Sequence, residues 1–318
     1  MSVTTSGGVR GGVNAAPSAV PPQTRRRSTY KGISLVLPAS LVIVPFLGVV
    51  IGLGLRMSLH GERLNVAGSA DNFVGLRNFA RAFSDETLRQ SIGVTLIYVV
   101  VAVAVEMIVG VGIALLMRRY FPGKGVVRAL MLIPMVLTPV VAALTWRLLM
   151  DPTSGTLNWL LGTMGLGGNH AFLSDPRTAL PAVILVDIWQ NTPYVIIIVL
   201  AGLESLDPAP FEAASLDGAS GWRLLRHITL PMLRPVIAIA MLLRTIDAAK
   251  TFAIIQTMTR GGPGTSTMAI SNYVYRVGFQ VFDIGYSTAL AILTSVALVI
   301  VIFPAAQKMM GLGKGGAR

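Results

Sequence analysis

Cysteine is absent from this chain. That excludes disulfides and thiolate metal sites, and leaves the compartment open. Histidine is scarce as well: His60, His170 and His227 are scattered and form no metal-ligand pattern. Charged residues make up only 13% of the chain, about half the share of a soluble domain. Catalytic signatures are missing too. Gly123-Lys124-Gly125 is the nearest approach to a phosphate-cradling loop, but it lacks the first glycine of G-x-x-x-x-G-K-[ST] and the hydroxyl that holds magnesium. Neither H-E-x-x-H nor G-x-S-x-G occurs. The chain is not itself an ATPase, and nothing in it marks a membrane-embedded enzyme.

What it has is apolar length. Hydrophobic residues make up 53% of its 318 positions, and the mean hydropathy is +0.69. A helix crossing the hydrocarbon core needs about 20 mainly apolar residues. Six stretches qualify: 33–58, 91–117, 127–150, 180–203, 232–257 and 286–307. Lipid offers backbone groups no partner, so these runs predict helices. Barrel strands would alternate over about 10 residues, and these runs do not. The expected fold is an all-α membrane protein with six transmembrane helices in a domain spanning 33–310.

Residues 1–32, rich in Gly, Ser, Ala and Pro, are expected to be a disordered tail. Arg25-Arg26-Arg27 ahead of an apolar run resembles a signal peptide. The run is too long and lacks a small-residue cleavage site, so an uncleaved first span is the better reading. The net charge of +12 does not point to nucleic acid, because the bases lie mainly at the ends of apolar runs rather than on one soluble face. Placing the N-terminus inside gives that side about twice as many Lys and Arg as the other. Both termini are therefore expected in the cytoplasm, with 311–318 as a short tail, in a multi-pass protein of a bacterial inner membrane. On the outer side, Phe73, Leu76, Phe79 and Phe83 recur at helical spacing within 72–90, as in a short surface helix. Gly261-Gly262-Pro263-Gly264 marks a tight turn.

One polar island interrupts the greasy sequence at 207–231. Pro208 and Pro210 stop the preceding helix and suit the start of a new one. Glu212 complements the positive end of its dipole, and Gly218 can end it in the left-handed conformation. A second helix from about Ser220 carries Trp222, Leu225 and Ile228 on one side, and Pro231 leads into the next span. Ala213, Ala214 and Gly218 form a small-residue face that another protein could approach closely. Trp222 and Ile228 are expected to anchor the loop against the spans.

Glu212-Ala213-Ala214, then Gly218, then Ile228-Thr229-Leu230-Pro231 resembles the EAA loop of ABC importer permeases at every spaced position. Phe73-Val74-Gly75-Leu76-Arg77-Asn78-Phe79, Gly155-Thr156-Leu157-Asn158-Trp159-Leu160-Leu161 and Thr259-Arg260-Gly261-Gly262-Pro263-Gly264 are similar to the outer loops of the carbohydrate-uptake class. The likeness extends over nearly all of 35–305. It departs after Phe252, where many relatives have an acid and this chain has Ala253. The resemblance implies a coupling helix formed by Glu212, Ala213, Ala214, Asp217 and Gly218, with Trp222, Ile228, Leu230 and Pro231 behind it. It further implies a second permease, two cytoplasmic ATPase subunits that bind ATP and magnesium, an extracytoplasmic solute-binding protein, and a sugar or sugar-like solute. No cofactor is expected in this chain.

Ionisable residues inside spans are functional candidates. Glu106 shares a helix face with Gly110 and Ala114, which favours close packing and a hydrogen-bonded structural role. Asp187, Trp189, Gln190 and Asn191 cluster ahead of Pro193. They suit either a sugar, with hydroxyls bonded and a CH face stacked, or interhelical bonding beside a kink. Arg244, Asp247 and Lys250 step along the fifth span. A rise of 1.5 Å per residue from Pro235 puts Arg244 roughly 14 Å deep, near mid-membrane. One acid between two bases predicts a net positive stripe, either touching solute or forming a structural ion-pair network. A polyol or glycerol phosphate fits the same architecture. An ion-coupled secondary transporter is the remaining alternative; it would need no coupling loop, and inverted repeats are not visible.

Overall fold

The computed structural model describes residues 29–118, 121–219 and 221–309. Of the tails expected at 1–32 and 311–318, residues 1–28 and 311–318 lie outside the described residues. Among the described residues there is no strand beyond the isolated bridges His60–Phe73 and Arg63–Asp283; the fold is all-α.

Helix α1 (Thr29–Ser58) begins before the boundary expected at 33. It is strongly apolar, with a mean hydropathy of 2.2 over Leu37–Ser58. Its part up to Gly52 forms one unit, and residues 53 onward form a second. In the second unit, α2 (Arg77–Ser84) is the expected short helix, narrower than 72–90 because Asp85 caps the next one. The Asp85 side chain accepts from the Leu88 N–H at 3.1 Å and starts α3 (Glu86–Met117), as an N-cap carboxylate should. Then follow α4 (Lys124–Val136), α5 (Pro139–Leu149), α6 (Thr156–Thr163), α7 (Ala179–Glu204) and α8 (Ala209–Leu216). Next, α9 (Trp222–Leu224), a π-helical turn at Leu225–Thr229 and α10 (Leu230–Ala249) run on as one membrane-length helix. The chain closes with α11 (Ala253–Met258), α12 (Ile270–Tyr275) and α13 (Ile284–Met309).

Five helices are long and apolar enough to cross a membrane, and six if α4 and α5 count as one span. The stretch 127–150 is thus not the straight span expected, because α4 and α5 meet at 95°. The cause is local. Leu137 and Thr138 are extended, as a residue before proline prefers. The Thr138 hydroxyl then caps α5 by accepting from Val141 N–H at 3.4 Å, with Pro139 in its first turn. The Leu137 carbonyl freed by the break accepts from Gln190 Nε2 at 2.9 Å. The stretch 232–257 is interrupted as well: α10 ends at Ala249 and α11 starts anew at Ala253. Thr251, in the gap, donates to the Tyr98 hydroxyl at 3.1 Å. By contrast, α7 runs through Pro193 without a break.

The core lies where α3, α7 and α10 meet. Tyr98, Ala102, Met107, Val183, Val199, Leu200 and Leu233 pack there. Two glycines set the spacing. A Cβ on Gly110 of α3 would fall 2.7 Å from Val195 of α7, and one on Gly202 of α7 would fall 2.7 Å from Val236 of α10. These helices approach with no room for a methyl group, the close packing that small residues permit in membranes.

At the end opposite α8, one carboxylate ties three segments together. Tyr273 and Tyr286 both donate to Asp85 Oδ2 at 2.5 Å. Arg81 lies over the Tyr286 ring at 3.9 Å and pairs with Asp283 at 2.8 Å. Burial alone would raise the Asp85 pKa, but the two phenols and the backbone N–H groups of Leu88 and Thr87 outweigh it and leave it below the ordinary 3.8. A depressed carboxylate stabilises the fold above its unfolded pKa, and that contribution is lost as pH falls through the lower folded value. Asp85→Asn should therefore melt below the wild type in detergent at about pH 6, with a narrower gap at about pH 3. A gap unchanged between the two pH values would refute this role for Asp85.

Candidate functional site

Buried charge converges on Arg244 of α10, which is only 1% exposed. Its Nε donates to Glu106 Oε2 at 2.5 Å and its Nη2 to Glu106 Oε1 at 2.8 Å, the bidentate pairing a planar guanidinium favours. Nη2 also donates to Asp187 Oδ2 at 2.8 Å, and Nη1 to Asp247 Oδ2 at 2.6 Å. One side chain thus joins α10 to α3 through Glu106 and to α7 through Asp187. Helical spacing puts Glu106 and Gly110 on the same buried face of α3, so the packing role expected for Glu106 holds.

The charge balance corrects the sequence reading. Three carboxylates surround one guanidinium, so the cluster is acidic in formal charge rather than basic. Lys250 is exposed and makes no ion pair among the described residues. Within the cluster, Asp247 is the open member, with its side chain 69% exposed, against 0% for Glu106 and 6% for Asp187. A carboxylate at this depth does not face lipid. Asp247 therefore marks a face that meets water or protein.

The polar group on α7 divides. Asn191 joins the cluster, its Nδ2 donating to Asp187 Oδ1 at 2.8 Å. Gln190 turns instead to the α4–α5 break, and its buried Oε1 has no partner among the described residues. Trp189 sits edge-on to Trp146, with ring centroids 5.6 Å apart.

The island at 207–231 forms a helix, a glycine turn and a second helix. Pro208 precedes α8, Pro210 lies in its first turn and Glu212 follows. Gly218 is left-handed (φ 74), and the Ala219 N–H reaches back to the Ala214 carbonyl at 2.9 Å, a Schellman-type end. The helix presents two faces. Phe211 and Ala214 turn toward the rest of the chain, whereas Glu212, Ala213, Leu216 and Asp217 are exposed, Leu216 at 88%. The small residues thus do not share one free face, since Ala214 is buried within the chain. Trp222 also departs from expectation: at 68% exposure it anchors nothing here. Ile228 and Leu230 are half-buried, and Thr229 between them is buried. Pro231 lies in the first turn of α10.

Two residues near α8 escaped the sequence reading. Arg118, at the end of α3, lies 4.4 Å from the Phe211 ring centroid. Nothing in their separation along the chain announces the contact.

A bundle of membrane-length helices with a buried ion cluster between them and a short helix exposed at one end is the architecture of a polytopic membrane transport subunit. Residues 106–311 match the family model described as "Binding-protein-dependent transport system inner membrane component", and the chain belongs to that family. It is 42% identical over 274 residues to a "Probable ABC transporter permease protein y4oQ" of Sinorhizobium fredii, covering 86% of this chain and 88% of that one. It is 35% identical over 270 residues to the "Trehalose/maltose transport system permease protein MalF" of Thermococcus litoralis, covering 85% and 90%. A solved structure described as a bacterial alginate ABC transporter in complex with alginate pentasaccharide-bound periplasmic protein shares the fold. Its TM-score is 0.74 at 24% identity, over 91% of this chain and 99% of that one. The protein is an ABC transporter permease, a membrane subunit.

Proposed function

We propose that this chain forms, with a second permease, the pathway of an ATP-driven importer for a sugar or sugar-like solute, and that α8 couples it to cytoplasmic ATPase subunits. The observation that carries the coupling is α8 itself. It is started by proline, closed by a left-handed glycine, seated on α3 by Phe211, and left with Glu212, Ala213, Leu216 and Asp217 exposed. Those free residues overlap the motif that resembles the EAA loop. This reading places both termini in the cytoplasm, ATP and magnesium on the ATPase subunits, and a solute-binding protein at the opposite end.

The sugar reading rests on the relative named for trehalose and maltose and on the chemistry at Arg244. A phosphorylated solute needs a cation with free donors, and of the charges here it is the exposed Lys250, not Arg244, that could offer them. The guanidinium is engaged by Glu106, Asp187 and Asp247, and the open member of the cluster is a carboxylate, which accepts from hydroxyls and repels phosphate. Asp187, Asn191, Arg244 and Asp247 are the proposed pathway group, with Lys250 beside it. Gln190 and Trp189 shape the neighbouring helix break.

The test is affinity purification of the tagged chain in mild detergent, with co-purifying subunits identified by mass spectrometry. Wild type should bring down an ATPase and a second permease, and Glu212→Arg and Gly218→Pro should lose the ATPase while keeping the permease. A wild-type chain that recovers no ATPase, in a detergent that keeps the two permeases together, would sink the coupling reading.

A further inference from the structure

The coupling helix is attached unequally to the spans around it. Toward α7 the link is short and bonded. The Ser205 hydroxyl donates to the Gly202 carbonyl at 2.9 Å and the Ala209 N–H to Asp207 Oδ1 at 3.0 Å, while Leu206 packs against the core. Toward α3 it is held by the Arg118–Phe211 contact at 4.4 Å. Toward α10 the connection is flanked by glycines. It runs through Gly218 and Gly221, both with positive φ and both with open space where a Cβ would stand. The π-helical turn Leu225–Thr229 follows, a local irregularity of the kind found at functional sites.

Further along the bundle, α3, α7 and α10 are tied to one another. Gly110 against Val195 leaves no clearance between α3 and α7, and Arg244 bonds Glu106 on α3 and Asp187 on α7 through one guanidinium. At α8 itself, the Ser205–Asp207 link to α7 and the Arg118–Phe211 contact to α3 are the ties through which a push can enter this bundle.

We propose that Arg118 and Phe211 are positioning residues of the transport cycle: their contact makes α8 move α3 along with α7, so that ATPase closure reaches the buried ion cluster. This rests on the coupling reading above. Neither residue touches solute or nucleotide. Phe211 faces the chain rather than the exposed side of α8, so its role is transmission rather than docking.

The experiment reconstitutes the complete transporter in vesicles and measures solute uptake and ATP hydrolysis in the same preparation. It compares wild type, Arg118→Ala, Phe211→Ala, the double variant, and the conservative Arg118→Lys and Phe211→Trp. We expect each alanine variant to retain the ATPase on purification and to hydrolyse ATP. Uptake per ATP should fall by roughly two- to fivefold, the range a cation–π contact at an open site corresponds to. The double variant should be no worse than the single ones, and Lys or Trp should restore most of the ratio, since both keep a cation over a ring. An unchanged ratio overturns the proposal. So do additive losses in the double variant, and so does a fall explained by loss of ATPase from the purified complex or by a lower melting temperature. Failure of the coupling reading looks different, because wild type itself would then lack the ATPase.

Discussion

Replacing Arg244 with Met is expected to remove most of the folded protein. Arg244 is the one cation among Glu106, Asp187 and Asp247, and its loss strands two buried carboxylates. Breaking a buried pair by removing one partner costs about 3–5 kcal/mol, a large fraction of the roughly 5–15 kcal/mol that holds a domain together. Arg244→Lys should recover little, because an ammonium cannot bind Glu106 with two parallel bonds and still reach Asp187 and Asp247. Glu106→Gln should be milder, since the amide oxygen still accepts one bond. The decisive comparison is Arg244→Met combined with Glu106→Leu and Asp187→Leu, an apolar replacement of the kind that is often neutral or stabilising. Fluorescence-detected size-exclusion melting in detergent would measure all four. We expect the single Met variant to be lost and the triple variant to return to near wild-type stability. If Arg244→Met melts like wild type, the cluster does not hold α3, α7 and α10 together. A triple variant that folds but does not transport would show that the cluster serves the pathway as well as the fold.

How much of this was legible in the sequence depends on the distance over which each feature is decided. Hydropathy located the membrane-length helices, because lipid imposes one length and one secondary structure. The ends of α8 were readable from Pro208, Pro210 and Gly218, since proline and a left-handed glycine act within a turn. The break between α4 and α5 was announced by Pro134 and Pro139 but obscured by the apolar run across them. Hydropathy averages over such a run, and only Thr138 capping and the distant Gln190 bond decide the turn. The sign of charge around Arg244 was not readable at all. It depends on Glu106, 138 residues away, and Asp187, 57 residues away, and local spacing on α10 showed only Asp247 and Lys250. Trp222 failed for a related reason. Amphipathic spacing says which residues share a face, not whether that face meets this chain or another one.

The contact of α7 with α10 gives the other large effect. Gly202→Val should cost about 1–3 kcal/mol as overpacking, and Gly202→Ala a smaller part of it. A Cβ at Gly202 would lie 2.7 and 2.9 Å from the two Val236 methyl carbons and 3.1 Å from its Cβ. Those atoms sit on a β-branched side chain with one preferred rotamer in a helix, so it cannot swing aside and the helices themselves must part. In an exposed helix, Gly→Ala would gain about 1 kcal/mol of propensity, so a net loss here would identify the close approach as the cause. Moving the methyl groups to the other side supplies the control. Val236→Ala removes the two nearest atoms, and the Gly202→Ala, Val236→Ala pair should melt well above Gly202→Ala alone. Additive losses in the pair would mean that α7 and α10 do not meet at these two residues. Gly202 is also where the Ser205 hydroxyl bonds back to α7 just before α8 begins. A wedge there should therefore lower uptake per ATP by more than Gly110→Ala at matched stability, because it displaces α10 at the end where α8 joins the bundle. Equal effects from the two wedges would show that transport depends on the tightness of the bundle and not on the geometry at the α8 end.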